Sequence, residues 1–311
     1  MKPDLLIVAP FYAPTLATLD STYTTHKVWL APDRAGFLAA IADRIEVAAT
    51  TGGKGMDAAM IGALPKLKMI ACFGVGVDAI DLDASGKRGI RVSNTPDVLT
   101  EDVADLALAL LLATIRRTAL GDRYVREGKW LKGAMPLTAS VQGKTLGIIG
   151  LGRIGKAIAK RAEAFGMHIA YQGPRKKDVA YTYFADAVTL ASASDIVVTA
   201  CPGGETTRHI ISRAAIDALG PEGVFINIAR GSVVDQEALV EALVNGKLGG
   251  AGLDVFNDEP RVPEALLALD NVVLQPHVGS ATFPTRQAMG QLVIDNLAAW
   301  FARRPLLTPI N

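Results

Sequence analysis

The chain has 311 residues, 50% of them hydrophobic, and a formal net charge of +1. That length and apolar content suit two buried cores better than one, and the near-neutral balance supplies no global field for nucleic acid or an anionic membrane. Only two cysteines occur, Cys72 and Cys201, without C-x-x-C spacing, which argues against a disulfide framework or a structural zinc site and makes a reducing, cytoplasmic compartment the default.

The N-terminal MKPDLLIVAPFYAP carries a short apolar run behind a proline and an aspartate, the pattern of a buried first strand and not of a signal peptide. Residues 5–10, 27–30, 45–50, 68–74 and 90–95 are short β-rich runs, and the amphipathic stretches 34–44 and 56–64 lie between them. Such alternation predicts a parallel sheet with helices on both faces. Two glycine-rich loops follow strand ends: TTGGKG, with Gly52, Gly53 and Lys54, and FGVGVDAID, with Val75 and Gly76. One long helix is then expected from TEDVADLALALLLATIRRTALGDRYVREG, with Thr100 as N-cap and acids in its first turn. Its apolar run, 106–115, is too short to span a bilayer. A loop with Gly, Trp130 and Pro leads to a second alternating series, with strands at 145–150, 168–172, 195–201, 224–229, 250–256 and 272–277, and to a last amphipathic helix, 285–304. No internal repeat or low-complexity tract interrupts the pattern, so two doubly wound α/β lobes are expected.

GLGRIG places Gly150, Gly152 and Gly155 directly after an apolar strand and at the start of a helical pattern. The first glycine suits a tight turn, the second a close approach of backbone to pyrophosphate, and the third close helix–strand packing. The amides of Arg153 and Ile154 would open the helix and face the phosphates. At the end of the next strand, YQGPRKK lacks the acid that grips an unmodified ribose. Gly173 leaves room there, and Arg175 and Lys176 offer charge-assisted donors. Position therefore favours NADP(H) over NAD(H), the competing view being a solvated basic turn. Three later stretches bring Arg230 (NIARGSVVD), Asp254 and Glu259 (GLDVFNDEP) and His277 (LQPHVGSAT) to or near strand ends, where a doubly wound sheet lines its ligand crevice. Singly, a histidine or arginine in such a place is more often structural. His26, His168 and His209 are read in that way.

With these motifs in order, the sequence resembles the D-isomer-specific 2-hydroxyacid dehydrogenases, and in detail their glyoxylate/hydroxypyruvate reductase-like members. GLGRIG, NIARGSVVD, the GLDVF–EP block, PHVGSAT, FGVGVDAID and SNTPDVLTEDVADLAL carry the likeness over nearly the whole chain. The resemblance implies a Rossmann cofactor domain at 95–282 and a discontinuous flavodoxin-like substrate domain at 1–94 plus 283–311, with hinges near 95–99 and 280–284. It implies a catalytic set of Arg230, Glu259 and His277, with Arg230 and His277 also touching substrate. The backbone of Val75 and Gly76 would hold the substrate carboxylate, and Gly52 would leave room beside it. Thr100, Ala229 and Asp254 would approach the nicotinamide, although a structural capping role competes for Asp254. CPGGETTRH departs from the more usual H-x-P-x-T, and Cys201 is read as lining the cofactor site and not as a nucleophile. The helix at 100–117 and the Trp130 loop would form a homodimer interface.

The expected chemistry is NADP(H)-dependent reduction of small 2-oxo acids, glyoxylate and hydroxypyruvate foremost. Nicotinamide would supply the hydride. A histidine suits the proton, a carboxylate beside it would orient the ring, and an arginine would grip the substrate carboxylate and the developing alkoxide. The alternatives are reduction of bulkier 2-oxo acids such as aryl pyruvates, and a dinucleotide-sensing, corepressor-like binding protein.

Overall fold

Strand–helix alternation produces two compact units in the computed structural model, which describes residues 2–311. One unit comprises Met1–Leu99 and Ser280–Asn311, the other Thr100–Gly279. The discontinuous unit holds β1 (Asp4–Ile7), β2 (Thr24–Lys27), β3 (Val47–Thr51), β4 (Met69–Phe73) and β5 (Arg91–Ser93), all parallel and in the order β2-β1-β3-β4-β5. That is the flavodoxin-like order. β4 is buried along its whole length, as an uninterrupted apolar strand covered on both faces should be. Around the sheet lie α1 (Ala13–Thr22), α2 (Arg34–Ile41), α3 (Ala58–Gly62), α4 (Leu82–Lys87) and the C-terminal helix Phe283–Phe301. Asp33, Asp57 and Asp81 cap α2, α3 and α4 by accepting from the N–H of Gly36, Met60 and Ala84, each satisfying one orphan donor of a helix start.

Two sequence expectations are corrected in this unit. Residues 27–30 do not form a strand. The strand is Thr24–Lys27, and Val28–Leu30 turns as a 3-10 helix. β2 is an edge strand whose only partner, β1, ends at Ile7 opposite Lys27, so 28–30 have no ladder to join. The domain boundary also moves, because residues 95–99 and 280–282 stay with the first unit. Thr95 is fully buried, its N–H donating to the Gly74 carbonyl and its Oγ1 accepting from the Gly74 N–H. Thr285 Oγ1 in turn donates to the Val98 carbonyl at 3.4 Å.

The second unit opens with α5 (Thr100–Ile115) and α6 (Thr118–Arg126). One continuous helix was expected here, with Thr100 as its cap. Instead Thr100 is the first helical residue, and the helix breaks at Arg117, whose φ is 48°. The break falls where burial ends: α5 buries Val103 through Ile115 on its inner face, whereas α6 buries nothing. Then follow β6 (Thr145–Ile149), α7 (Arg153–Ala164), β7 (His168–Gln172), β8 (Thr182–Phe184), α8 (Ala187–Ser192), β9 (Ile196–Thr199), α9 (Arg213–Leu219), β10 (Val224–Asn227), α10 (Gln236–Val244), β11 (Gly250–Leu253), α11 (Glu264–Leu267) and β12 (Val272–Leu274). The seven parallel strands run β12-β11-β10-β9-β6-β7-β8, the Rossmann order with one added strand. The chain reverses direction through the sheet beside β6, which places the β6–α7 turn at the topological switch point where this architecture binds ligands. The three-residue β8 has no counterpart in the sequence reading, being too short for an alternation signal. No described helix is long and apolar enough to cross a membrane.

Candidate active site

The β6–α7 turn is shaped by its glycines. Gly150 has φ 93°, and a Cβ there would lie 2.8 Å from Cys201 Cα. A Cβ on Gly155 would lie 2.2 Å from the Gly150 carbonyl oxygen, so both positions exclude any side chain. Gly152, the N-cap of α7, has no atom within 4 Å of where its Cβ would be, and no side chain caps the helix. The first-turn N–H groups that Arg153 and Ile154 open are thus presented beside a vacant backbone approach, the donor set and the space a dinucleotide pyrophosphate needs. Cys201 sits against the back of the turn. Burial pushes its thiol up to about 11, so it is neutral at physiological pH and suited to lining the site, not to attack.

At the end of β7, Gly173 is buried while Arg175 and Lys176 are exposed. The strand end lies against the glycine turn, since the Gly150 N–H donates to the Gln172 carbonyl at 2.9 Å.

The ends of β10, β11 and β12 carry the second group. His277 follows β12 in the left-handed region, φ 53°, a conformation uncommon outside glycine and often found at functional sites. Its N–H donates to the Asp254 carbonyl at 2.9 Å. The buried Asp254 carboxylate accepts from the N–H groups of Val278 and Gly279 at 2.7 and 2.9 Å. Burial raises Asp254 above the usual carboxylate range, against the pull of those two hydrogen bonds. Asp254 therefore holds the turn that aims His277, the capping role that the sequence left in competition with a nicotinamide contact.

His277 Nδ1 lies 2.7 Å from Glu259 Oε2, and Glu259 Oε1 accepts from the Phe256 N–H at 3.1 Å. Partial burial pushes Glu259 up. Hydrogen bonds from His277 and Phe256, with the charges of His277 and Arg230, outweigh it and hold the carboxyl below its ordinary range. An ionised carboxylate only accepts, so Nδ1 carries a hydrogen and Nε2 is the ring nitrogen left for chemistry. Arg230 thus acts electrostatically on the same dyad. Its Nη1 donates to the Ala229 carbonyl at 2.7 Å, and Gly231 lies flat on the Phe256–Asn257 backbone, where a Cβ would come within 2.1 Å of Phe256. This docks the Arg230 turn on the loop that carries Glu259. Arg230, Glu259 and His277 are brought together in the unit that holds the glycine turn.

A model of the D-isomer specific 2-hydroxyacid dehydrogenase NAD binding domain matches residues 108–279, more than half of the chain. The chain belongs to the D-isomer-specific 2-hydroxyacid dehydrogenase family. It is 52% identical over 307 residues to a hydroxyphenylpyruvate reductase of Plectranthus scutellarioides, covering 98% of each chain, and 50% identical, with the same coverage, to a glyoxylate/hydroxypyruvate reductase of Arabidopsis thaliana. A solved NADPH-dependent glyoxylate/hydroxypyruvate reductase of Sinorhizobium meliloti, in complex with NADP and malonate, superimposes with a TM-score of 0.94 at 43% identity, over 100% of this chain and 97% of that one. Two parallel-sheet α/β units and the reduction of 2-oxo acids are thus shared ground for this dehydrogenase and its relatives.

In this dehydrogenase the sequence reading missed a buried pair behind Arg230. Asn227 and Thr199, both fully buried, face each other across β10 and β9. Thr199 Oγ1 donates to Asn227 Oδ1 at 2.7 Å. The same oxygen accepts the Ala229 N–H at 3.0 Å, and Asn227 Nδ2 donates to the Arg230 carbonyl at 2.9 Å. A polar residue at the end of each of two adjacent apolar strands was the available signal, since buried polar groups must pair. Thr100 opens α5, whose first turn lies against the His277 turn: a Cβ on Gly279 would meet Val103 at 3.4 Å and Asp254 at 3.2 Å. In the discontinuous unit, Gly52 follows β3, its N–H donating to the Phe73 carbonyl at 3.2 Å. Val75 and Gly76 follow β4, with Asn94 donating to the Val75 carbonyl at 2.8 Å and Cys72 Sγ to the Gly76 carbonyl at 3.7 Å. The three residues sit together at adjacent strand ends of that sheet.

Proposed function

We propose that this dehydrogenase uses NADP(H) to reduce small 2-oxo acids, glyoxylate and hydroxypyruvate foremost, to 2-hydroxy acids, with His277 as the proton donor. The observation that carries the reading is the 2.7 Å His277–Glu259 pair, with Arg230 acting on it, in the unit that holds an uncapped glycine turn. A bound nicotinamide supplies the hydride. His277 Nε2 gives a proton to the carbonyl oxygen as that oxygen becomes an alcohol, and takes it back in the oxidative direction. Glu259 fixes the ring and offsets the imidazolium charge. Arg230 pairs with the substrate carboxylate and stabilises the alkoxide. Backbone amides of Val75 and Gly76 hold the carboxylate, and Gly52 leaves room for it. Ala229, Asp254 and Thr100 serve the nicotinamide end, Gly150, Gly152, Arg153, Ile154, Gly155 and Cys201 the pyrophosphate, and Gly173, Arg175 and Lys176 the 2′-phosphate. The arm from α6 to residue 142 buries no residue and exposes Trp130 at 67%, Leu131 at 94% and Leu137 at 100%. A second copy of the chain is the occupant it suits, giving a homodimer. We place the enzyme in the cytoplasm.

A panel of 2-oxo acids run with NADPH and with NADH tests the reading. Oxidation of NADPH should be fastest with glyoxylate and hydroxypyruvate. No oxidation with any member, alongside tight dinucleotide binding, would leave a dinucleotide-sensing binding protein instead. Bulkier 2-oxo acids are the second reading. An apolar cavity of about 260 Å³ beside the dyad, lined by Phe256, Val262, Leu267 and Leu274, favours them, as does the 52% identity to a hydroxyphenylpyruvate reductase. Faster turnover of an aryl pyruvate than of glyoxylate would decide for them. In the same assay Arg175→Ala should raise KM for NADPH by about 10- to 100-fold, the weight of a charge-assisted hydrogen bond, and leave NADH unchanged. Equal loss for both cofactors would reject 2′-phosphate recognition by Arg175.

Glu259 sets the acid limit. Its folded-state value lies below the ordinary carboxylate range. Its charge is therefore fully present above that range and lost only as pH falls through the lowered value. Reductive kcat/KM should hold as pH drops through the usual carboxylate range and decline below it. A decline centred at or above the ordinary glutamate value would contradict the pairing.

A further inference from the structure

Of the three cations in YQGPRKK, Arg175 and Lys176 make no ion pair or side-chain hydrogen bond among the described residues, whereas Lys177 is committed. Its Nζ donates to the Leu151 carbonyl, inside the glycine turn, at 2.7 Å. Its backbone N–H donates to the Tyr171 hydroxyl at 2.6 Å. At the other end of the loop the Tyr183 hydroxyl donates to the Gly173 carbonyl at 3.2 Å. Tyr171 and Tyr183 are register partners across β7 and β8, with ring centroids 5.4 Å apart, and Tyr171 is fully buried. A loop of five residues is thus pinned at both ends by hydroxyls fixed in the sheet, and tied to the pyrophosphate turn by one ammonium. Only its crown, with Arg175 and Lys176, points outward.

The geometry points to Tyr171, Tyr183 and Lys177 as positioning residues for cofactor selectivity. They hold the loop in its binding shape before the dinucleotide arrives, so that Arg175 and Lys176 meet a 2′-phosphate without the cost of ordering the backbone. Two exposed, rotamer-rich cations on a slack loop would lose that cost from their affinity. The ammonium of Lys177 also fixes the spacing between the turn that takes the pyrophosphate and the loop that takes the 2′-phosphate. NADPH touches both loops and NADH lacks the second anchor, so the clamp acts on the difference between them. This inference rests on the NADP(H) reading above and names the residues that make it selective.

The test is the dissociation constant of NADPH and of NADH for the intact enzyme and for Tyr183→Phe, Lys177→Met, Lys177→Arg, Arg175→Ala and the Arg175→Ala/Tyr183→Phe double variant. Tyr183→Phe keeps the ring packing and removes one hydroxyl. Lys177→Met keeps the stem and removes the ammonium. Each should weaken NADPH by about tenfold, the scale of ordering two side chains, and shift NADH by less than about twofold. Lys177→Arg should restore most of the loss. Because Tyr183 acts through Arg175 and Lys176, the double variant should lose less NADPH affinity than the two single effects combined, the non-additivity of residues in one device. An unmodified enzyme that binds both dinucleotides equally would remove the NADP(H) reading and this inference with it. Preference for NADPH that Arg175→Ala abolishes but Tyr183→Phe and Lys177→Met leave intact would overturn the clamp alone. Equal weakening of both dinucleotides by Tyr183→Phe or Lys177→Met would also overturn it, since the groups would then hold the domain and not its selectivity.

Discussion

His277→Gln should lower kcat for 2-oxo acid reduction by about two to four orders of magnitude, the usual weight of a positioned general acid, while the dissociation constant of the dinucleotide stays within about twofold of its original value. Glutamine can donate a hydrogen bond to the carbonyl oxygen but has no proton to transfer at physiological pH, so the variant separates polarisation from proton donation. The fold gives little reason for the variant to collapse. The turn that carries His277 is held by backbone groups: its own N–H on the Asp254 carbonyl and the Val278 and Gly279 N–H groups on the Asp254 carboxylate. None of these involves the imidazole. Glu259 loses one partner but keeps the Phe256 N–H on Oε1. The drop should therefore appear in the chemical step and be matched in single-turnover reduction with saturating cofactor. Turnover within about tenfold of the starting enzyme would assign the proton to another group and reduce the dyad to a structural ion pair.

The positions proposed to carry this chemistry stand out in the sequence because each is set by a local rule. Gly150 and Gly155 must be glycine, one for its φ of 93° and the other because the Gly150 carbonyl occupies the space of a Cβ. Arg230, Asp254 and His277 fall within a few residues of the ends of apolar strands, and parallel strands deliver such residues to one edge of the sheet. Where the reading failed, the deciding contact was distant in sequence. Residues 27–30 look like a strand, but β1 is only four residues long, ends at Ile7 and offers nothing further to pair with. The run from Thr100 to Gly128 looks like one helix, but its second half finds no surface to bury and the chain turns at Arg117. The domain boundary moved because Thr95 and Thr285 bond to partners that no window around either residue contains. Asn227 and the two tyrosine hydroxyls were invisible for the same reason. Each looks like an ordinary strand residue until the facing strand is in place. The side chains proposed for catalysis stood out by type and place, whereas the groups that aim them depend on register.

Arg230 offers the second large effect, and its two substitutions separate two duties. A lysine keeps the charge but not the planar fork, and a glutamine keeps a donor but no charge. Arg230→Lys should lower kcat/KM by about 100-fold, and Arg230→Gln by about 1,000-fold or more, on the scale of losing a preorganised donor at a developing oxyanion. The split between constants carries the argument. The substrate carboxylate bears the same charge in the bound substrate and in the transition state, so an arginine that only gripped it would change KM and leave kcat alone. The alkoxide exists only as the hydride arrives, so stabilising it shows in kcat. Both constants should move: KM upward in both variants, and kcat downward more steeply in Arg230→Gln. The turn itself should persist, because Asn227 holds the Arg230 carbonyl and the Ala229 N–H whatever side chain follows, and dinucleotide affinity should change little. A rise in KM with kcat intact would confine Arg230 to the carboxylate. Full activity in Arg230→Gln would remove Arg230 from the proposed catalytic set.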